Sequence, residues 1–287
     1  MPNEKKVILS VRDLVIQLLE TKTNIYYGNF DIELDDFVII KGNNGSGKST
    51  FLKIFAPTKA ISYCGHVRGS MFYCDGELAQ KDIFAGGYDR SKLLRTVVNI
   101  TQEEKFPSWA SAMSAILQPT LVAINEDKGF TAAEKNEKIK AARALAEHYF
   151  RDVLQASNSF TCGYLAFKYK KATSFSGGQQ KMLNLISGII KAEIMGAKLI
   201  LMDEPLNNLD AKNKALFSAI IEKMRKSRRE AGNPIAIMAI THCQIFEGIN
   251  KVITITPIPA ERKNTVTCER RIMDYHKECL EDFKIKL

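Results

Sequence analysis

The stretch Lys41-Gly42-Asn43-Asn44-Gly45-Ser46-Gly47-Lys48-Ser49-Thr50 constrains this chain more than any other. It holds a glycine, four residues and then Gly-Lys-Ser, the P-loop spacing in which backbone N–H groups curl around phosphate oxygens. Its flanks suit that loop. The apolar run Phe37-Val38-Ile39-Ile40 predicts a buried strand before it, and Ser49 to Phe55, with no breaker until Pro57, predicts a helix after it. Gly42, Gly45 and Gly47 let the backbone turn with its N–H groups inward, and the helix N-terminus adds partial positive charge to the same cavity. Lys48 is placed for the β- and γ-phosphates and the Ser49 hydroxyl for Mg²⁺.

With 287 residues, 45% of them hydrophobic, the chain can bury a sizeable core as one large domain or two small lobes. A net charge of +9 suits an acidic ligand, a nucleic acid or an anionic membrane face, and by itself selects none of them. The six cysteines are scattered without a Cys-x-x-Cys, and residues 1–6 lead into no signal-peptide pattern, so a reducing cytosol is expected. No apolar run approaches the roughly 20 residues of a spanning helix, and any membrane role must come through a partner. Cys268, His276 and Cys279 read as ordinary tail residues, because three spread groups without a fourth do not make a metal site.

Along the chain, residues 7–40 alternate short apolar and polar stretches and predict a small antiparallel sheet leading into the loop strand. Tyr26 or Tyr27 is placed either to stack on a nucleotide base or to pack across strands. Gly65–Tyr73 and Leu93–Ile100 predict further strands, the second running on to Gln102. Lys105 to Leu121 carries Trp109, Met113, Ile116 and Leu117 at helical spacing, and Pro119 is expected to close that helix. Thr131-Ala132-Ala133-Glu134 is a capping box opening a helix to about Gln155, with Ile139, Ala142, Leu145, Tyr149 and Val153 on one face. Lys168-Tyr169-Lys170-Lys171 is either a solvated edge or a contact for phosphate or an acidic partner.

Ser176-Gly177-Gly178-Gln179 opens another helix, to about Ile194, whose bare N-terminus attracts phosphate. Lys198 to Met202 predicts a buried parallel strand that delivers Asp203 and Glu204 at its carboxyl end. Asp203 suits a metal there, and Glu204 suits polarisation of an attacking water. After a helix at about 212–229, Ile235–Ile240 is a third apolar strand, ending in Thr241-His242 on the same edge. Val252–Ile255 is the last expected strand, and the tail from Ala260 is charged.

In this order the loop at 42–49, Gln102, Phe175-Ser176-Gly177-Gly178-Gln179, Asp203-Glu204-Pro205, Asn208-Leu209-Asp210 and His242 resemble the ATP-binding cassette (ABC) ATPase family, over roughly residues 7–256. The resemblance implies an α/β fold: a P-loop NTPase core with a mostly parallel sheet, an N-terminal antiparallel β subdomain, and an inserted helical subdomain at about 103–180. Residues 1–256 form the single domain and 257–287 a tail. It also implies two cassettes associated head to tail, homo- or heterodimeric, with ATP and Mg²⁺ between the loop of one and Ser176, Gly177, Gly178 and Gln179 of the other. Lys48 and Ser49 then bind phosphate and metal, and Gln102 senses metal and water. Glu204 is the base, Asp210 couples the two sites, and His242 stabilises the γ-phosphate.

Phe175 stands where the family most often has Leu, and Lys181 where Arg is usual, which keeps the charge but not the planar fork. The implied role is the ATPase subunit of a membrane transporter, cytoplasmic and peripheral through transmembrane subunits. Phe106-Pro107-Ser108-Trp109 then reads either as an apolar coupling surface or as core of the helical lobe. The alternative is a soluble ATPase acting on nucleic acid, the ribosome or an effector, supported by the basic excess and by Arg225–Arg229. ATP binding without turnover is disfavoured, since Glu204 and His242 are both present.

Overall fold

The computed structural model describes residues 6–19, 22, 24–27, 29–43, 46–55, 64–74, 81–86, 88, 93, 95–101, 106–155, 162–241, 246–258 and 263–270. Short runs of consecutive apolar residues can be buried on both faces only inside a parallel sheet, and these runs build the centre of the molecule. β4 (Phe37–Lys41), β6 (Val97–Ile100), β7 (Leu199–Asp203), β8 (Ala236–Ile240) and β9 (Lys251–Ile258) lie in the order β9-β4-β8-β7-β6, every neighbouring pair parallel.

Alternation along these strands divides the interior in two. Phe37, Ile39, Ile200, Met202, Ile237 and Ala239 face a core shared with helices, whereas Val38, Ile40, Leu199, Leu201, Met238 and Ile240 face a core shared with the other strands and Leu52.

The antiparallel strands expected at the N-terminus continue the same sheet. β1 (Val7–Leu18) carries β3 (Phe30–Glu33) and β2 (Asn24–Tyr27) on its two halves, and β5 (Cys64–Tyr73) also pairs with it. The two apolar runs of 7–16 are thus one strand with a break in register after Arg12. Asp13 sits there at φ 44°, opposite Gly69 at φ 77°, whose missing Cβ would meet the Asp13 carbonyl at 2.3 Å. The sheet reaches the core through a strand that the sequence did not suggest: β10 (Lys263–Arg270) pairs antiparallel with β9 and parallel with β2.

Helices lie on both faces: Leu52, from the helix after β4, packs in the core shared with the strands, and the later helices pack chiefly in the other core. α1 (Lys48–Phe55) follows β4, and α5 (Gly177–Met195) and α6 (Ala211–Glu230) follow the loops at 176 and 210. A helical lobe is formed by α2 (Ala112–Glu126), α3 (Ala132–His148) and α4 (Tyr164–Tyr169). The Thr131–Glu134 capping box is present in both directions. The helix it opens turns π-helical over Tyr149–Gln155, where Phe150 stacks on Phe167 at 4.0 Å.

Two expectations for the preceding helix are corrected. Ser111 caps α2, accepting from the Ser114 N–H, so the helix starts after Trp109 and leaves that side chain 70% exposed. Pro119 does not end it. The apolar face runs on to buried Ala123 and Ile124, and that packing outweighs the one backbone bond a proline removes. The lobe is fastened to the core where Arg95, in the turn before β6, makes a bidentate pair with Asp127 at the end of α2.

Gly188, in the middle of α5, sets how close that helix lies to the sheet. A Cβ there would meet both Cδ1 and Cγ1 of buried Ile100 at 2.5 Å. Gly188→Ala, worth roughly 1 kcal/mol of stabilisation in an ordinary helix interior, is expected to destabilise here by about 1–3 kcal/mol. In an Ile100→Ala background the sign should reverse. Urea unfolding midpoints of the four proteins check both outcomes.

Candidate functional site

The carboxyl ends of β4, β8 and β7 meet in register, with Ile40 beside Ile240 and Ile240 beside Asp203. Ile100, the last residue of β6, pairs with Met202. Parallel strands that finish together place whatever follows each of them along one edge. Gly42–Ser46 follows β4, and Glu204 follows β7.

The loop after β4 is built for close approach. Gly42 has φ 152°, and a Cβ there would meet the Ile255 carbonyl and the Ser46 Oγ, each at 2.6 Å. Gly47, at φ 91°, lies where L side chains are strained. The Ser46 N–H donates to the Asn43 carbonyl at 3.1 Å, closing the turn. Lys48 is buried, and its Nζ donates to the carbonyls of Gly42 and Asn43, both at 2.9 Å, so the ammonium is held inside the loop. Ser49 and Thr50 form the first turn of α1. Asn44 and Gly45 lie outside the described residues, as do Gln102 and His242, each two positions beyond the end of a strand at this edge.

From α1 the Ser49 Oγ donates to Asp203 Oδ1 at 3.1 Å, across a separation of 154 residues. Burial holds the Asp203 carboxyl above its ordinary range and the charge of Glu204 pushes the same way, while the Ser49 hydroxyl, Lys53 and Lys181 pull it down. Hydroxyl and carboxylate oxygens are hard donors, and a buried carboxylate short of positive charge favours a cation. Among the described residues no three His, Cys, Asp or Glu side chains cluster to hold a metal by themselves. A divalent ion here would therefore depend on oxygens from its ligand and from water, which is how small hard cations accompany phosphates.

Glu204 begins the next loop at φ 46°, with its N–H on the Ile240 carbonyl at 3.0 Å. The loop ends at Asp210, whose carboxylate caps α6 by accepting from the Asn213 N–H at 2.7 Å.

Ser176 and Gly177 lie exposed at the start of α5. Ser176 Oγ accepts from the Gln179 N–H at 3.3 Å, and Gln179 Oε1 accepts from the Ser176 N–H at 3.1 Å, a capping box legible as Ser-x-x-Gln that the glycines overshadowed. A Cβ on Gly178 would stand 3.4 Å from the Asn208 carbonyl, so this helix start abuts the loop that begins at Glu204.

Among the other candidates, Tyr27 is buried and Tyr26 is 38% exposed. Cys268 lies half-buried in β10, whereas His276 and Cys279 lie outside the described residues. Lys168 lies over the Tyr169 ring and Lys170 over the Phe175 ring, at 5.4 and 4.7 Å.

Because the folded Asp203 carboxyl binds its proton more tightly than the ordinary value of 3.8, the folded state holds more protons than the unfolded one just above that pH. Its ionisation therefore subtracts stability as pH rises above that value. Asp203→Asn is expected to melt above the parent protein at pH 7.5 without added metal. The gap should narrow as pH falls toward about 4. Thermal melts across that range check the sign.

The ABC transporter family model matches residues 27–207. The xylose/arabinose import ATP-binding protein XacJ of Haloferax volcanii is 26% identical over 69% of this chain, which spans only 42% of XacJ. The phosphate import ATP-binding protein PstB of Bacteroides thetaiotaomicron is 26% identical over 76% of this chain and 77% of its own length. A bacterial ABC transporter cassette solved as a dimer superposes with a TM-score of 0.59 at 16% identity, over 92% of this chain and 98% of that one, a likeness of fold. With more than half its length matched by the family model, the chain belongs to the ABC transporter family, as one of its ATPases.

Proposed function

We propose that the chain hydrolyses ATP with Mg²⁺ at the interface of a head-to-tail cassette dimer and thereby moves a membrane-embedded partner, as the ATPase subunit of a transporter. Residues Gly42 to Thr50 cradle the phosphates, Lys48 balances the β- and γ-charges, and Ser49 and Asp203 hold the metal together with Gln102. Magnesium supplies neutralisation of the charge on the transferred phosphoryl group. Glu204 accepts a proton from the attacking water, and His242 donates toward the γ-phosphate. Ser176, Gly177, Gly178 and Gln179 of the second cassette close the site in trans, with Asp210 coupling the two halves. Support for the trans role comes from α5, which presents a solvent-facing N-terminus with its first turn already ordered by its own cap.

One observation carries the membrane partner. In the helical lobe Leu165 and Tyr169, one turn apart on α4, are 68 and 70% exposed, and Trp109, in the segment before the α2 cap, is 70% exposed. Phe106, by contrast, is partly buried against the helical core. Large apolar side chains left this open to solvent support a contact surface on the lobe. Among the described residues no helix is long and apolar enough to cross a membrane, so the moving element belongs to another chain, and this one sits peripherally at the inner face. XacJ and PstB, both named import proteins, point the same way.

Glu204→Gln is expected to bind ATP with parental affinity, to lose turnover by about a hundredfold or more, and to accumulate as a dimer on size exclusion. A variant that stays monomeric at saturating ATP and Mg²⁺ would count against the trans site. In a gentle-detergent pull-down of tagged Glu204→Gln protein with ATP, a multi-spanning membrane protein should co-purify, and a Trp109→Ala/Tyr169→Ala double variant should lose it while retaining ATP binding. Recovery of ribosomes, nucleic acid or a soluble effector instead would replace the transporter role with the soluble one.

A further inference from the structure

We infer that Asn207 is a positioning residue for hydrolysis, holding the Glu204 carboxylate in its working orientation through its side-chain amide. The inference rests on Glu204 being the base. Among the contacts that hold Glu204, two come from Asn207. The Glu204 N–H is fixed on the Ile240 carbonyl of β8 at 3.0 Å, its carbonyl accepts from the Asn207 N–H at 3.3 Å, and its Oε2 accepts from Asn207 Nδ2.

A glutamate at φ 46° occupies a backbone region that non-glycine residues enter at a cost, and such positions persist only where the surroundings impose them. The doubled link from residue 207 to residue 204 supplies that imposition at the place where a carboxylate must meet a water molecule.

The chemistry of the side chain fits the task. A general base works only from within hydrogen-bond reach of the proton it takes, and a glutamate has three side-chain torsions to restrain. An amide donates to one carboxylate oxygen and leaves the other to receive the proton. Being uncharged, it does not pair off the negative charge as a Lys or Arg would. Asn207 is half-buried, between buried Leu206 and exposed Asn208, so its amide is shielded from full competition by water. The carbonyl of Asn208 lies against Gly178, so the turn that orients the base also abuts the helix start assigned to the second nucleotide site.

The test is steady-state ATPase kinetics of the full chain with Asn207→Ala and Asn207→Asp, beside Glu204→Gln. Removing one hydrogen bond to a charged group, when the bond matters only for orientation of the base, should lower kcat roughly 10- to 100-fold. KM for ATP should stay within about twofold, because ground-state nucleotide binding does not use the bond. Asn207→Asp, the same shape without a donor, should fall at least as far as Asn207→Ala. Melting temperatures close to the parent would separate a positioning defect from unfolding. A parental kcat in Asn207→Ala, with Glu204→Gln inactive, would overturn the role of Asn207 and leave the base in place. A parental kcat in Glu204→Gln would remove the base itself and the inference with it. Loss of kcat and gain of KM together, in step with a lowered melting temperature, would make Asn207 merely structural.

Discussion

The molecule depends on the registration of parallel strands. β8 is apolar throughout, β4 and β7 are apolar up to their last residues, and the apolar runs are buried on both faces, so a slip by one residue would exchange the two cores that the sheet separates. Holding them in register also makes them end together, at Lys41, Asp203 and Ile240. Polar side chains are excluded from the run of each strand and tolerated only where it stops. The chemistry is therefore concentrated on one edge by the same rule that builds the core. The Ser49 to Asp203 bond spans that edge, and the raised proton affinity of Asp203 follows from burying a carboxylate there.

The opposite edge shows what a structural use of charge looks like. Asp36 is fully buried, yet its carboxylate accepts from Lys251 at 2.5 Å, Asn250 at 2.8 Å and the Glu33 N–H at 2.6 Å. Two of these contacts lock the entry of β4 to that of β9, and the third closes the turn from β3. At the carboxyl edge, among the described residues, the Asp203 side chain has a single neutral hydroxyl bond. That difference in saturation separates a carboxylate that fastens the fold from one available to a ligand.

Most of this was legible in the residues. The P-loop, the strands that precede Gly42 and Glu204, and the Thr131–Glu134 capping box announce themselves because each is local: a spacing, an apolar run, a donor matched to an acceptor three residues on. What escaped depended on partners distant in sequence. β10 reads Lys-Asn-Thr-Val-Thr-Cys-Glu-Arg, with Val266 as its one fully buried apolar side chain, and nothing in so polar a stretch reveals that two strands await it. Trp109 fits a helical stripe by spacing, but Ser111 claims the cap and puts the ring outside. Asn207 looks like any polar turn residue until the positive φ of Glu204 folds the turn back on itself.

β10 stands between β9 and β2, so the lateral edge of the antiparallel sheet is completed by the most C-terminal strand described. During synthesis β1, β2, β3 and β5 leave the ribosome long before residues 263–270 exist. Through that interval β2 keeps an open hydrogen-bonding edge, the kind of surface that recruits strands from other chains. Translation speed and chaperone access in the interval between β5 and β10 therefore bear on the yield of native protein.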